Sequence, residues 1–297
     1  MELANFSKHE FKGPDAKKFL DYVMAGKLPK PGRISLSPML TRKGKLYGDL
    51  TVACMDDNEF MIFGSGAAQE MHRRWFESHI GKFNLEYKNR SDDFHGLAIS
   101  GPKSREVLQK VVRDNVSNEK FKFRDSRRMY VAGVPAIVNR ISFTGELGYE
   151  IYVAPHYQIK LYEELTEAGK EFNIKPFGLR ALMSMRLEKN WGAWTLDYRP
   201  DFTAKETGLD AFINWDKEFI GKKYAKEDNS SNKLTPMVVE TNEIDVTYNE
   251  AVLKDDKAIG YVTSGGFAHF VNKRVAFSYL DTNKLNSGKG CLLYTSP

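Results

Sequence analysis

Cysteine is scarce: Cys54 and Cys291 are the two in the chain, far apart and without CxxC spacing. That pattern excludes a disulfide framework, gives no sign of structural zinc and fits a reducing compartment. No apolar run approaches the roughly 20 residues of a membrane span, and the start MELANFSKHEF lacks the charged-then-apolar order of a secretory signal. The chain therefore reads as soluble and cytoplasmic, with no membrane partner. A dominant charge sign is missing too: 44 Lys plus Arg against 39 Asp plus Glu leave +5 with no dense basic block, which argues against a nucleic-acid partner. Neither GxSxG nor GxGxxG occurs. The segment GSGAA at 64–68 lacks the remaining glycine and the βαβ surroundings of a dinucleotide loop, so FAD is not expected within this chain. His72 and His79 can share a helix face, but no third ligand has a helpful spacing, so they read as surface histidines and no metal site is expected. His95, His156 and His269 are uncommitted.

What is present is enough chain, 297 residues, for two or more packed units. Residues 6–23, FSKHEFKGPDAKKFLDYV, and 94–111, FHGLAISGPKSREVLQKV, repeat one scheme of strand, Gly-Pro turn and amphipathic helix. Gly13 and Gly101 suit the turn, while Pro14 and Pro102 suit the first helical position, where a missing N–H costs nothing. Phe19, Leu20 and Val23 recur at helical spacing, as do Val107, Leu108 and Val111, and these stripes read as core.

Between the repeats, ISLSPML, LYGDLTVACM and EFMIFG read as strands broken by polar turns, and 68–80 as a helix. In the second unit RRMYVAG, VPAIVNRISFT and YEIYVAP read as strands, followed by helices near 156–172 and 177–190. The segregation predicts an α+β fold of two ferredoxin-like units, about 1–93 and 94–225, rather than a doubly wound parallel sheet. The polar stretch KEDNSSNKL predicts a linker over 226–235. Beyond it, PMVVE, AVLKDD, KAIGYVTSGGF and RVAFSYL predict short antiparallel strands over 236–297, part of a small and incomplete β-barrel. The final GKGCLLYTSP ends abruptly and is expected to be a truncation, with a foreign tail.

Three segments carry candidate chemistry. In SFTGELGYE, 142–150, two glycines make a tight turn before a strand opened by Glu150, whose carboxylate can accept two hydrogen bonds from a planar aminopyrimidine edge or be merely solvated. In LYGDLTV, 46–52, Asp49 and Thr51 share one strand face. There an acid beside a hydroxyl can stabilise a developing cation; alone, an Asp after Gly is a common turn residue. After the helix of 177–190, Trp191, Trp194 and Tyr198 occupy a Gly-containing loop. They are placed to stack on a flat ligand or to plug the core.

Taken in order, GPDAKKFL, GKLYGDLTV, SFTGELGYE, GLRALMSMRLEKNWG and EFIGKKYA resemble the glycine-cleavage T-protein (aminomethyltransferase) family across nearly the whole chain. The longer run RALMSMRLEKNWGAWTLDYRPDFTAKETGLDAFI is more similar to the branch fused to dimethylglycine and sarcosine dehydrogenases than to the free-standing T-protein. The resemblance implies a three-part fold binding tetrahydrofolate and transferring a one-carbon group from nitrogen. Asp49 matches the family's catalytic Asp, Glu150 its pterin-binding Glu and Thr51 a folate-site Thr. Phe143, Glu146 and Tyr149 belong to the folate motif, Arg180 lies in the helix that carries a substrate-contacting Arg, and Trp194 is the candidate stacking aromatic. Two departures stand out: Leu182 occupies the position of that Arg, and Phe143 a position where the fused enzymes often carry Tyr.

The resemblance further implies a one-carbon donor that is an iminium made by a flavin dehydrogenase domain, in cis or in trans, or an aminomethyl group on a lipoyl arm in a free-standing T-protein. FAD would belong to an upstream domain outside this chain. A non-catalytic folate-binding relative, of the kind that assists iron–sulfur assembly, carries a KGCYxGQ motif where this sequence has KNWGA at 189–193. A sulfonium demethylase of the same fold fits FTGELGYE less well.

Overall fold

The computed structural model describes residues 1–241, 243–285 and 292–293. The first unit runs β1 (Ser7–Lys12), α1 (Ala16–Val23), β2 (Arg33–Leu40), β3 (Leu46–Asp56), β4 (Glu59–Gly64), α2 (Gln69–Ile80) and β5 (Glu86–Asn89), with the strands in the order β2-β3-β4-β1-β5. The second runs β6 (His95–Ser100), α3 (Ser104–Val111), β7 (Ser126–Val131), β8 (Val134–Asn139), β9 (Gly148–Val153) and α4 (Gln158–Gly169), in the order β6-β9-β8-β7. After α5 (Leu179–Glu188), α6 (Ala204–Thr207) and α7 (Lys222–Lys226) come β10 (Asn232–Val239), β11 (Ala251–Lys254), β12 (Lys257–Ala268), β13 (Lys273–Asp281) and β14 (Leu292–Leu293). These last five form a third sheet, β10-β13-β12-β11-β14. The strands pair antiparallel in all three sheets, as an α+β chain requires.

The two Gly-Pro turns have the same geometry. Gly13 and Gly101 take φ of +133° and +126°, conformations that suit glycine, and each carbonyl accepts from the amide three residues on, Ala16 or Ser104, at 3.0 Å. The prolines sit inside these turns, so the helices begin two residues later than the Gly-Pro pairs predict. Phe19, Leu20 and Val23 bury against Phe11, Val52, Ile62 and Phe76 on one face of the first sheet. Val107 and Leu108 bury with Tyr149, Ile151, Val153 and Leu161 on one face of the second.

The opposite faces of the two sheets meet each other. Ile34, Ala53, Met61 and Phe63 pack against Ile137 and Tyr152, giving four layers, helices outside and sheets within. Because side chains alternate along a strand, the residues flanking Ala53 and Tyr152 on the same strand faces also look into this interface.

The third sheet is fastened by α5. The Arg186 guanidinium is fully buried and pairs with buried Asp197; Asp197 also accepts from Ala193 N at 2.8 Å and Ser264 Oγ at 2.8 Å. The polar stretch expected as a linker is tied down: Ser230 Oγ donates to Glu206 at 2.8 Å, and β10 already begins at Asn232. The tail GKGCLLYTSP, with Cys291, lies outside the described residues apart from the backbone of Leu292 and Leu293, which pairs with β11. Among the described residues no helix is long and apolar enough to cross a membrane.

Candidate functional site

Asp49 owes its aim to a β-bulge. Met39 pairs with Gly48 but Leu40 with Leu46, so Tyr47 is an extra residue that switches faces. Leu46 is buried with Leu40 and Tyr198, and Tyr47 packs against the helix-covered core. From Gly48 onward the alternation is regular, and Asp49, Thr51 and Ala53 share the face turned toward the second sheet. His72 of α2 pins the bulge from behind, its Nε2 2.9 Å from the Tyr47 carbonyl. A carbonyl only accepts, so Nε2 carries the proton. A Cβ at position 48 would come within 2.9 Å of that nitrogen, so glycine there permits the close approach.

His72 is thus buried, 1 % exposed, which corrects the surface reading. Burial lowers its pKa to about 4. His9, also buried, stands with its ring centroid 6.4 Å from that of His72, and burial, then the neighbouring His72, lower its pKa to about 3. The missed signal was the spacing from His72 to Phe76, which are both buried on α2 one turn apart.

Glu150 opens on the matching face of β9. It pairs with Ala98 on one side and Asn139 on the other, and its carboxylate accepts from Tyr152 Oη at 2.9 Å. Tyr152 stacks on Phe63, ring centroids 4.5 Å apart, and Phe63 lies opposite Thr51 in the β3–β4 register. A chain of contacts thus runs from Glu150 through Tyr152 and Phe63 to the strand face that carries Thr51 and Asp49.

Both carboxyls titrate far from their ordinary range. Burial pushes Asp49 up to about 7, opposed by a backbone hydrogen bond. Burial likewise pushes Glu150 up to about 7, against the pull of the Tyr152 hydroxyl and then the Lys189 ammonium. Two acids poised near neutrality on facing sheets can hold or exchange protons at physiological pH.

The other expected residues are placed as follows. Trp194 is half-buried against the cluster containing Leu46 and Tyr198, with its ring 5.9 Å from His72. It therefore sits at the Asp49 end of β3. Tyr198, whose hydroxyl accepts from Gly192 N at 3.1 Å, is buried there too; burial and then the charge of Asp49 raise its pKa. Phe143 is half-buried in the turn before β9, 5.9 Å from Lys189 Nζ.

Tyr149 is a correction. It points to the opposite face of β9 from Glu150, fully buried and stacked on Phe121 at 5.8 Å, so it packs the core rather than facing the sheet interface. Glu146 and Arg180 are exposed and lie outside the contact chain that joins Asp49 to Glu150.

Lys189, at the C-terminal end of α5, was not singled out by sequence. Its ammonium donates to Ser142 O at 2.6 Å and stands 5.5 Å from the Trp191 ring. Gly145, at φ +85°, turns the 142–148 loop so closely over the lysine stem that a Cβ there would be 3.2 Å from Lys189 Cβ.

Two facing antiparallel sheets with outer helices, a third sheet fastened by a buried ion pair, and two raised carboxyls between the layers define an α+β protein with its candidate site at a unit interface. The chain belongs to the glycine cleavage T-protein family: residues 1–217 match the GCVT N-terminal domain and residues 232–291 the glycine cleavage T-protein C-terminal barrel domain. It is 35% identical to human (Homo sapiens) mitochondrial dimethylglycine dehydrogenase over 287 residues, 94% of this chain and 33% of that protein. It is 32% identical to the aminomethyltransferase of Caldanaerobacter subterraneus over 283 residues, 93% of this chain and 75% of that one. The chain thus spans about a third of the length of the dehydrogenase relatives. Among solved structures, the aminomethyltransferase T of the Bartonella henselae glycine cleavage system superposes with a TM-score of 0.89 at 21% identity, covering 99% of this chain and 81% of that one; that likeness establishes a shared fold.

Proposed function

We propose that the chain catalyses tetrahydrofolate-dependent one-carbon transfer, with the pterin of reduced folate between the first two sheets. The observation that carries this reading is the placement of Asp49 and Glu150 on the two sheet faces that meet, both carboxyls raised toward neutrality. Glu150, ionised when folate binds, accepts from the ring N–H and exocyclic amine of the pterin, an acceptor pair matched to a donor pair. Thr51 lines the same face and Phe143 the rim. Asp49 stands near the reacting nitrogen, stabilises the cationic one-carbon donor and relays the N5 and N10 protons of the folate to the departing amine as two new C–N bonds form and the donor's C–N bond breaks, leaving methylenetetrahydrofolate and a protonated amine. Trp194 closes the Asp49 end against water.

The residues fit such a substrate: half-buried Phe143 supplies aromatic surface for a flat bicycle. The 35% identity to dimethylglycine dehydrogenase favours an amine-derived iminium as donor, supplied by a flavin dehydrogenase domain in cis or in trans. The match to aminomethyltransferases makes an aminomethyl-lipoyl donor the second reading. Single-turnover transfer to tetrahydrofolate, measured with dimethylglycine or sarcosine plus a flavin dehydrogenase and separately with an aminomethyl-lipoyl donor, separates the two. Asp49→Asn is expected to bind folate yet lose about 10²–10⁴-fold in transfer rate; an unchanged rate removes Asp49 from the chemistry.

A further inference from the structure

Lys189 has hydrogen-bonding capacity that its contacts in the protein leave unused. An ammonium offers three donors, and one of them goes to the Ser142 carbonyl at 2.6 Å. Its stem is clasped by the Gly145 turn. Its head stands 5.9 Å from the Phe143 ring and 5.5 Å from that of Trp191, and the Ser142 that receives it packs on Gly148, two residues before Glu150 on the same face of β9, where an added Cβ would be 2.8 Å from Ser142 Cβ; each charge favours the other's ionised form. A cation held in this way beside a carboxylate presents an acceptor pair with a donor next to it.

That sequence of groups complements a particular ring edge. A 2-amino-4-oxopteridine displays, in order, an exocyclic amine, a ring N–H and a carbonyl oxygen. The carboxylate satisfies the first two, and the carbonyl left beside them requires a donor, since an unpaired buried carbonyl is costly. We propose that Lys189 is the specificity-determining residue of the site, its ammonium donating to the 4-oxo oxygen of the pterin while Glu150 holds the adjoining N–H groups. The proposal rests on the folate reading above and adds to it the residue that reads the oxygen.

The chemistry accounts for where the lysine is. Arginine has a longer planar fork, whereas a compact ammonium fits between the Ser142 carbonyl and a single oxygen. Tyr152, the other donor beside Glu150, already gives its hydroxyl proton to the carboxylate, so it is committed.

The test is a double-mutant cycle on equilibrium binding, read by titration of the full chain and independent of turnover. The ligands are tetrahydrofolate and its 4-thioxo analogue, which keeps the ring N–H but replaces the oxygen with a poor acceptor. The wild type is expected to favour the oxo ligand by about ten- to a hundred-fold, the worth of a hydrogen bond to a charged donor. Lys189→Met retains the packed stem and is expected to bind the two ligands within about two-fold of each other. Lys189→Arg is expected to recover part of the preference. If Lys189→Met discriminates as the wild type does, the lysine does not read the oxygen and the proposal falls. Glu150→Gln separates this from the parent reading: loss of both ligands upholds Glu150 as the pterin anchor whatever Lys189 does, whereas unchanged binding of both, or no folate binding by the wild type, overturns the anchor and the proposal together. A thermal melt of each variant distinguishes lost recognition from lost fold.

Discussion

Phe63 and Tyr152 stack across the two sheets, their ring centroids 4.5 Å apart and their planes 25° from parallel. One comes from each half of the internal repeat, both are buried, and Tyr152 also donates to Glu150. The contact therefore joins the units and orients a site carboxylate at once. Phe63→Ala is expected to destabilise the protein by about 3–5 kcal/mol through the cavity it leaves. The loss should be larger than for an exposed aromatic such as Tyr130→Ala, with urea unfolding as the measurement. Equal losses would mean that the sheets are held elsewhere.

The Arg186–Asp197 pair fastens the third sheet to α5 with both side chains buried. Arg186→Met leaves Asp197 charged and without its cation, at an expected cost of about 3–5 kcal/mol. Removing both charges, as Arg186→Met with Asp197→Leu, is expected to cost less than either single change. A double variant as unstable as the sum of the singles would show that the two side chains are energetically uncoupled, which would contradict the stranded-charge account.

Folding depresses the pKa of His72 from its ordinary 6.5 to about 4. A depressed group contributes stability above its unfolded pKa and loses it as pH falls toward the folded value. The protein should lose roughly 1–3 kcal/mol between pH 6.5 and 4 from this residue, and more from His9. His72→Gln can still donate to the Tyr47 carbonyl but takes up no proton, so its stability should decline less steeply in that window. Superimposable acid limbs would contradict the buried, neutral imidazole.

Glu150 has the opposite sign. Its pKa rises from an ordinary 4.5 to about 7, so the stability associated with its protonated form is present below 4.5 and is lost as pH climbs through 7. In the absence of folate, Glu150→Gln is expected to be more stable than the wild type at pH 8 by roughly 1–3 kcal/mol, and by less at pH 4. A variant less stable at both pH values would place Glu150 among structural rather than binding residues.

Much of this was legible in the residues themselves. The Gly-Pro repeats, the apolar stripes of α1 and α3, and the alternation that puts Asp49 beside Thr51 follow from local periodicity, which sequence carries directly. The bulge at Tyr47 and the burial of His72 were less legible, because both depend on which helix packs behind which strand. The same holds for Lys189: only the fold shows that the end of α5 lies under the 142–148 turn. Tyr149 shows the hazard of treating a motif as a unit, since adjacent strand residues face opposite ways. The segment 226–235 was polar enough to read as a linker, yet Ser230 and β10 anchor it through partners distant in sequence.

The most direct test of the central claim is equilibrium titration of tetrahydrofolate into the wild type and Glu150→Gln at pH 8, where the carboxylate is ionised. Replacing an acceptor pair by an amide that offers one acceptor and one donor is expected to weaken binding by about 10²–10³-fold while the variant stays folded. Equal affinity in the two proteins would contradict a pterin held by Glu150 between the sheets.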